Sequence, residues 1–153
     1  MNSMTRRLLP LVAFALAMSA ATGANAQAGS TCPQLPADSG LSWEQRGNDA
    51  FLICSAVGAD GSEAFGLSLS ANSPFQPRRA FREERGVVAG KDIRWYRAEV
   101  GTQPDILVRE TRVELSRDQV AHIWTRTLSE EALLENMQMV ERLDFSDNRV
   151  SSN

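Results

Sequence analysis

The chain is poor in the residues that build catalytic and metal centres. Its 153 residues include one histidine, His122, and two cysteines, which are too few ligands for a convincing zinc site. The sequence also lacks a G-x-S-x-G elbow, an H-E-x-x-H segment and a glycine-rich phosphate loop, which mark serine hydrolases, zinc proteases and nucleotide-binding enzymes. We therefore predict no catalytic residue, no metal and no cofactor.

Basic charge is also scarce. The chain has 16 lysine and arginine residues against 19 acidic residues. Arg6 and Arg7 are the only charged residues before position 27, so the remainder has 14 basic against 19 acidic residues, a net charge of −5. This mildly acidic balance argues against a nucleic-acid partner, because a phosphate backbone requires a basic surface.

Long apolar runs are absent after residue 26, so we predict no membrane span there. Before that point, Arg6 and Arg7 precede an apolar run over residues 8–21, and the small-residue triplet Ala24-Asn25-Ala26 follows. This order is typical of a secretory signal peptide cleaved near Ala26. We expect an exported protein, in a bacterial periplasm or secreted outside the cell, with residues 1–26 as its signal peptide.

Cys32 and Cys54 both lie beyond this cleavage site. An even number of cysteines in an exported chain favours one disulfide, because exported proteins fold under oxidising conditions. The bond would tie residues 27–40, an extended leader rich in glycine, serine, proline and alanine, to the strand that contains Cys54. A reactive thiol and a metal site are the alternatives.

Alternating apolar and polar residues predict short strands between positions 41 and 127. A helix then begins after Ser129, whose hydroxyl suits an N-cap. We predict an α+β domain over residues 41–146, with a single antiparallel sheet of six or seven strands and a C-terminal helix packed on one face. Residues 147–153 are predicted to form a disordered tail.

The last two strands are predicted to form a hairpin in which Leu115 pairs with Val120. Antiparallel register then sets every later pair. In this register His122 and Trp124 lie on the buried face of the hairpin, so we interpret His122 as a packed core histidine rather than a general base.

The segment ANSPFQPRRAFREER, residues 71–85, interrupts the strand pattern with two prolines. It concentrates basic and aromatic side chains, which suit an anionic ligand or an acidic partner. The candidate partner-binding residues of this loop are Phe75, Arg78, Arg79, Phe81, Arg82 and Arg85. The pattern favours a solvated loop in which Glu83 and Glu84 neutralise half of the arginine charge, because charge runs are usually solvated faces.

The chain from VAHIWTRT to Leu143-Asp144-Phe145, which follows a series of meandering strands, resembles the end of PsbP-like and DcrB-like domains. Leu41-Ser42-Trp43 resembles their tryptophan-containing start. The resemblance covers about 100 residues and lies in the order of elements rather than in a motif. It implies a sheet flanked by helix and an accessory or binding role, and it assigns no functional residue. The chain departs from these domains in having no second predicted helix.

Three functions remain open. The first is an exported interaction or accessory module without enzymatic activity, whose partner is a protein bound at the 75–85 loop. The second is a carrier that holds a small apolar ligand between sheet and helix, near Trp124. The third is a small hydrolase that uses His122 with a nearby carboxylate. The sequence favours the first, and no pattern specifies the oligomeric state.

Overall fold

The computed structural model describes residues 31–98 and 105–149. The predicted signal peptide, the first four residues of the leader and residues 150–153 lie outside the described residues. Seven strands are followed by one α-helix, named here in chain order: β1 Ser42–Asn48, β2 Phe51–Val57, β3 Glu63–Ser70, β4 Arg82–Val88, β5 Lys91–Arg97, β6 Leu107–Ser116, β7 Gln119–Thr127 and α1 Glu130–Glu141. Short 3-10 turns occupy Arg79–Phe81 and Ser146–Arg149.

The strands form a single antiparallel sheet, which confirms the predicted sheet and its C-terminal helix. Their order across the sheet is β1-β2-β3-β7-β6-β5-β4. Because β7 lies beside β3, the chain after β3 must cross β7, β6 and β5 to reach the far edge. Residues 71–81, the crossover segment, make this connection. No helix of residues 31–98 and 105–149 is long and apolar enough to cross a bilayer.

The helix covers one face of the sheet. The Ser129 side chain accepts a hydrogen bond from the backbone amide of Ala132 at 3.3 Å, as expected for an N-cap. Three residues one turn apart, Leu133, Met137 and Val140, are buried against the strands. Burying each such side chain stabilises the fold by about 1.5–3 kcal/mol. Beneath them lie the fully buried strand residues Phe65, Leu67, Leu69, Val88, Trp95, Ala121 and Ile123.

The predicted register of the last hairpin is wrong by one residue. Val120 pairs with Glu114 rather than with Leu115, and a bulge between Glu114 and Ser116 takes up the extra residue. A shift of one residue moves every side chain to the other face. His122 and Trp124 therefore lie on the face opposite α1, which we call the open face, and not in the core.

The described part of the leader is fixed at three points. Cys32 and Cys54 form the predicted disulfide. The Trp43 indole donates to the Pro33 carbonyl at 2.7 Å. Gln34 and Asp144 exchange two backbone hydrogen bonds, of 2.8 and 3.1 Å. The leader is thereby joined both to β2 and to the chain that follows the helix.

We predict that removing the disulfide destabilises the fold measurably. The bond closes a loop over a sequence separation of 22 residues, so replacing both cysteines with alanine should lower the free energy of unfolding by about 3 kcal/mol. Urea unfolding with and without reductant measures this. The double variant should be insensitive to reductant, and a wild-type midpoint that does not change on reduction would contradict the prediction.

Candidate functional site

The crossover segment is held on the open face by Phe75. Its ring stacks parallel to the His122 ring, with centroids 5.1 Å apart, and meets the Tyr96 ring nearly edge-on at 5.7 Å. These contacts join the segment to β7 and to β5. They also bring together two sets of residues that the sequence analysis treated separately, the 75–85 loop and the pair His122 and Trp124.

A carboxylate lies beside the single histidine. His122 Nε2 and Glu110 Oε2 are 3.0 Å apart, and the two side chains are only 16% and 23% exposed. Glu110 lies on β6, diagonally across from His122, because Arg112 is the direct partner of His122. The sequence analysis missed Glu110 and Tyr96, since its register put Glu110 on the other face. If the hairpin is paired one residue out of the predicted register, Glu110 and His122 fall on the same face. Comparing the two registers would therefore have identified the Glu110–His122 pair.

Trp124 completes the aromatic part of the site. A Cβ atom added to Gly66 would come within 2.5 Å of the indole ring, so the absence of a side chain at Gly66 lets Trp124 lie against β3. The indole nitrogen donates to Glu63 at 3.2 Å, and the ring lies 5.5 Å from His122. The resulting open-face site consists of Phe75, Arg78, Tyr96, Glu110, His122 and Trp124.

The loop next to this site carries exposed arginines. Arg78 lines a cavity of about 500 Å³ together with Phe75, Glu110 and His122. The four arginines of the loop, which are all exposed, are Arg78, Arg79, Arg82 and Arg85. None of the four forms an ion pair with a carboxylate of residues 31–98 or 105–149.

The two glutamates that were expected to neutralise the loop are bound elsewhere. Arg109 donates to both oxygens of Glu84, at 2.8 and 2.9 Å, and Glu83 lies 3.7 Å from the Arg97 guanidinium. The register shift between Arg82 and Arg85 allows this, because a bulge re-aims the side chains of the bulged strand. The hydrogen bonds from Arg109 lower the pKa of Glu84.

The other loop residues lie at the margin of the site. Arg82 pairs with Tyr96 and Arg85 with Arg94 in the β4–β5 ladder. Phe81 is separate from Phe75, and its ring lies 5.6 Å below the Arg97 guanidinium. The candidate loop therefore divides: Phe75 and Arg78 line the open-face site, Arg82 and Arg85 lie in the edge strand β4, and Phe81 contacts Arg97.

The described residues offer little for a metal or an enclosed apolar ligand. Among them, no group of three or more histidine, cysteine, aspartate or glutamate side chains could hold a metal ion. A larger cavity, of about 1190 Å³, lies at the β1–β2 turn, where Arg46, Phe51, Ile53 and Ser70 line it. Neither cavity has a lining residue from α1. Trp124, the predicted contact of an apolar ligand, faces away from the helix.

Comparison with protein family models, with curated proteins and with solved structures gives no match.

We predict that the Glu84–Arg109 pair stabilises the fold in a pH-dependent way. The pKa of Glu84 is lowered in the folded protein, so its contribution is present above the ordinary carboxyl pKa of about 4.3 and is lost as the pH falls through the lower folded value. The partly exposed pair should contribute about 1 kcal/mol at neutral pH. Glu84→Gln should lose this contribution.

Urea unfolding of wild type and Glu84→Gln at neutral and at acidic pH tests the prediction. The difference in free energy of unfolding should shrink in acid. Glu135→Gln, an exposed helix residue, is the control and should show no such difference. If Glu84→Gln lowers the free energy of unfolding equally at both pH values, the Glu84–Arg109 ion pair is not the cause of the lost stability.

Proposed function

We propose that the protein is an exported interaction module without enzymatic activity, which binds an acidic segment of a partner protein at the open-face site. One observation carries the proposal. Exposed Arg78 lines the cavity beside Phe75 and His122, and exposed Arg82 pairs with Tyr96. Glu83 and Glu84, the acidic residues next in sequence, lie instead against Arg97 and Arg109. The loop thus keeps a local positive charge on a chain that is acidic as a whole.

The chemistry of these side chains suits a carboxylate-rich protein surface. A guanidinium binds a carboxylate through two parallel hydrogen bonds. Arginine and aromatic residues are the types that contribute most at the centres of protein interfaces. The rings of Phe75, His122 and Trp124 are held by one another, so little conformational entropy remains to be lost on binding.

Two observations support export of the protein. The N-terminal sequence has the order of a signal peptide, with cleavage near Ala26. The Cys32–Cys54 disulfide suits an oxidising compartment, because reducing cytosol disfavours such bonds. We place the mature protein in the periplasm or outside the cell, where the partner would meet it.

We predict that reversing two loop charges weakens binding of an acidic peptide. The probe is hexaglutamate, measured by isothermal titration calorimetry at low salt. Exposed ion pairs contribute about 0.2–1 kcal/mol each, and reversal adds repulsion. Arg78→Glu with Arg79→Glu should therefore weaken binding about tenfold, or about 1.4 kcal/mol. Added salt should weaken the wild-type complex as well.

The matched control is Arg117→Glu with Arg142→Glu, which makes the same change of net charge at two exposed arginines, one in the β6–β7 turn and one at the end of α1. This control should bind nearly as wild type does. If both double variants lose the same affinity for the peptide, net charge alone explains the effect. If the loop variant keeps its affinity, the loop arginines do not bind the peptide.

The His122–Glu110 pair favours a second candidate, a small hydrolase. Ser68 lies directly opposite His122 in the β3–β7 ladder, and residues opposite each other have Cβ atoms about 4.5–5.5 Å apart. Ser68, His122 and Glu110 thus occupy three adjacent strands. Glu110 contacts Nε2, which leaves Nδ1 to accept the serine proton as a general base.

This candidate predicts that a fluorophosphonate probe labels Ser68. The serine oxygen would bond to phosphorus, the fluoride would leave and His122 would take the proton. Labelling should disappear in Ser68→Ala and in His122→Ala, with the fold checked by circular dichroism. A wild-type protein that is not labelled, or labelling that persists in His122→Ala, would exclude this hydrolase mechanism and leave the interaction module.

A further inference from the structure

The two edges of the sheet are not equivalent. At one edge, the pairing of β4 is interrupted by the irregularity between Arg82 and Arg85, and α1 contacts this strand. At the other edge, β1 makes seven consecutive pairs with β2 without a bulge, and six of its seven residues are exposed. A long, regular and uncovered edge strand is a template for pairing with another strand.

The backbone groups of β1 that face outwards can be assigned by alternation. The Phe51 amide donates towards β1, to the Asn48 side chain, and the Gly58 amide donates the opposite way, to Ser62 of the β2–β3 turn. Odd-numbered residues of β2 therefore face β1, and their partners in β1 are even-numbered. The amides and carbonyls of Trp43, Gln45 and Gly47 consequently point to the free edge.

We propose that a second copy of the chain pairs with this edge, antiparallel, with Gln45 of both copies at a two-fold axis. In this register the outward groups of Trp43, Gln45 and Gly47 meet their counterparts. On the open face, Glu44 lies opposite Arg46 of the second copy, and Arg46 lies opposite its Glu44. Opposite charges placed directly across a strand pair stabilise it.

The charges also select this register. The smallest shift that keeps the backbone groups in step is two residues, which reduces seven pairs to five. It places either Glu44 against Glu44 or Arg46 against Arg46, and like charges directly opposite are destabilising. The sequence of β1, SWEQRGN, is thus complementary to itself in one antiparallel register only.

The dimer would join two seven-stranded sheets into one of fourteen strands. Its axis is perpendicular to the sheet, so both open-face sites would lie on the same side and engage one partner together. A single strand offers less contact than the roughly 800 Å² per partner of a standard interface. Association should therefore be weak and dependent on concentration.

Charge exchange on β1 tests the dimer without any ligand. Sedimentation velocity of the mature protein, from about 10 micromolar to about 1 millimolar, should show a monomer–dimer equilibrium. Glu44→Arg and Arg46→Glu each create two like-charge pairs, so each should weaken dimerisation about tenfold or more. The double exchange, with both substitutions, should restore dimerisation to near the wild-type level. Glu135→Arg, on the exposed side of α1, is the charge control.

Gln45→Pro provides a second variant, because it removes an outward amide at the axis and leaves the pairing with β2 intact. It should be monomeric. A wild-type protein that is monomeric throughout the concentration range would overturn the proposal. Single variants that dimerise like wild type, or a double exchange as weak as the single changes, would overturn it equally.

Discussion

The register of the β6–β7 hairpin decides what this protein presents to its surroundings. The bulge between Glu114 and Ser116 shifts the pairing by one residue. Thr111 and Val113 then join Ile123 in the core under α1, and His122 turns to the open face. Without the bulge, β7 would turn its other face towards α1 while Thr111 and Val113 kept theirs. The only histidine would be buried, and Ile123 would face solvent.

The open-face site follows from that register and from the strand order. Because β7 is inserted beside β3, the crossover segment has to pass over the sheet, and it does so on the face that carries His122. Phe75 holds it there through its ring contacts with His122 and Tyr96. Because Glu84 forms an ion pair with Arg109, it does not neutralise the loop arginines next to it in sequence. Packing and charge thus act together to display basic side chains beside fixed rings.

Local patterns in the sequence were sufficient for the elements, but not for their arrangement. The Ser129 cap, the stripe of Leu133 and Met137, and the single antiparallel sheet all follow from short-range periodicity. The pairing of Glu84 with Arg109 joins residues far apart in sequence, and a bulge leaves no local signal in a strand pattern. Composition alone makes Phe75 and Arg78 candidate binding residues. Glu110 and Tyr96 are recognised as site residues only from the observed strand pairing.

The most direct test of the open-face site is to map where an acidic ligand touches the protein. Titration of isotope-labelled wild-type protein with hexaglutamate, followed by amide chemical shifts in NMR spectra, reports every residue at once. We expect the largest shifts at residues 75–85 and at Tyr96, His122 and Trp124. Shifts concentrated at the β1–β2 turn or along α1, or no shifts at saturating peptide, would contradict it.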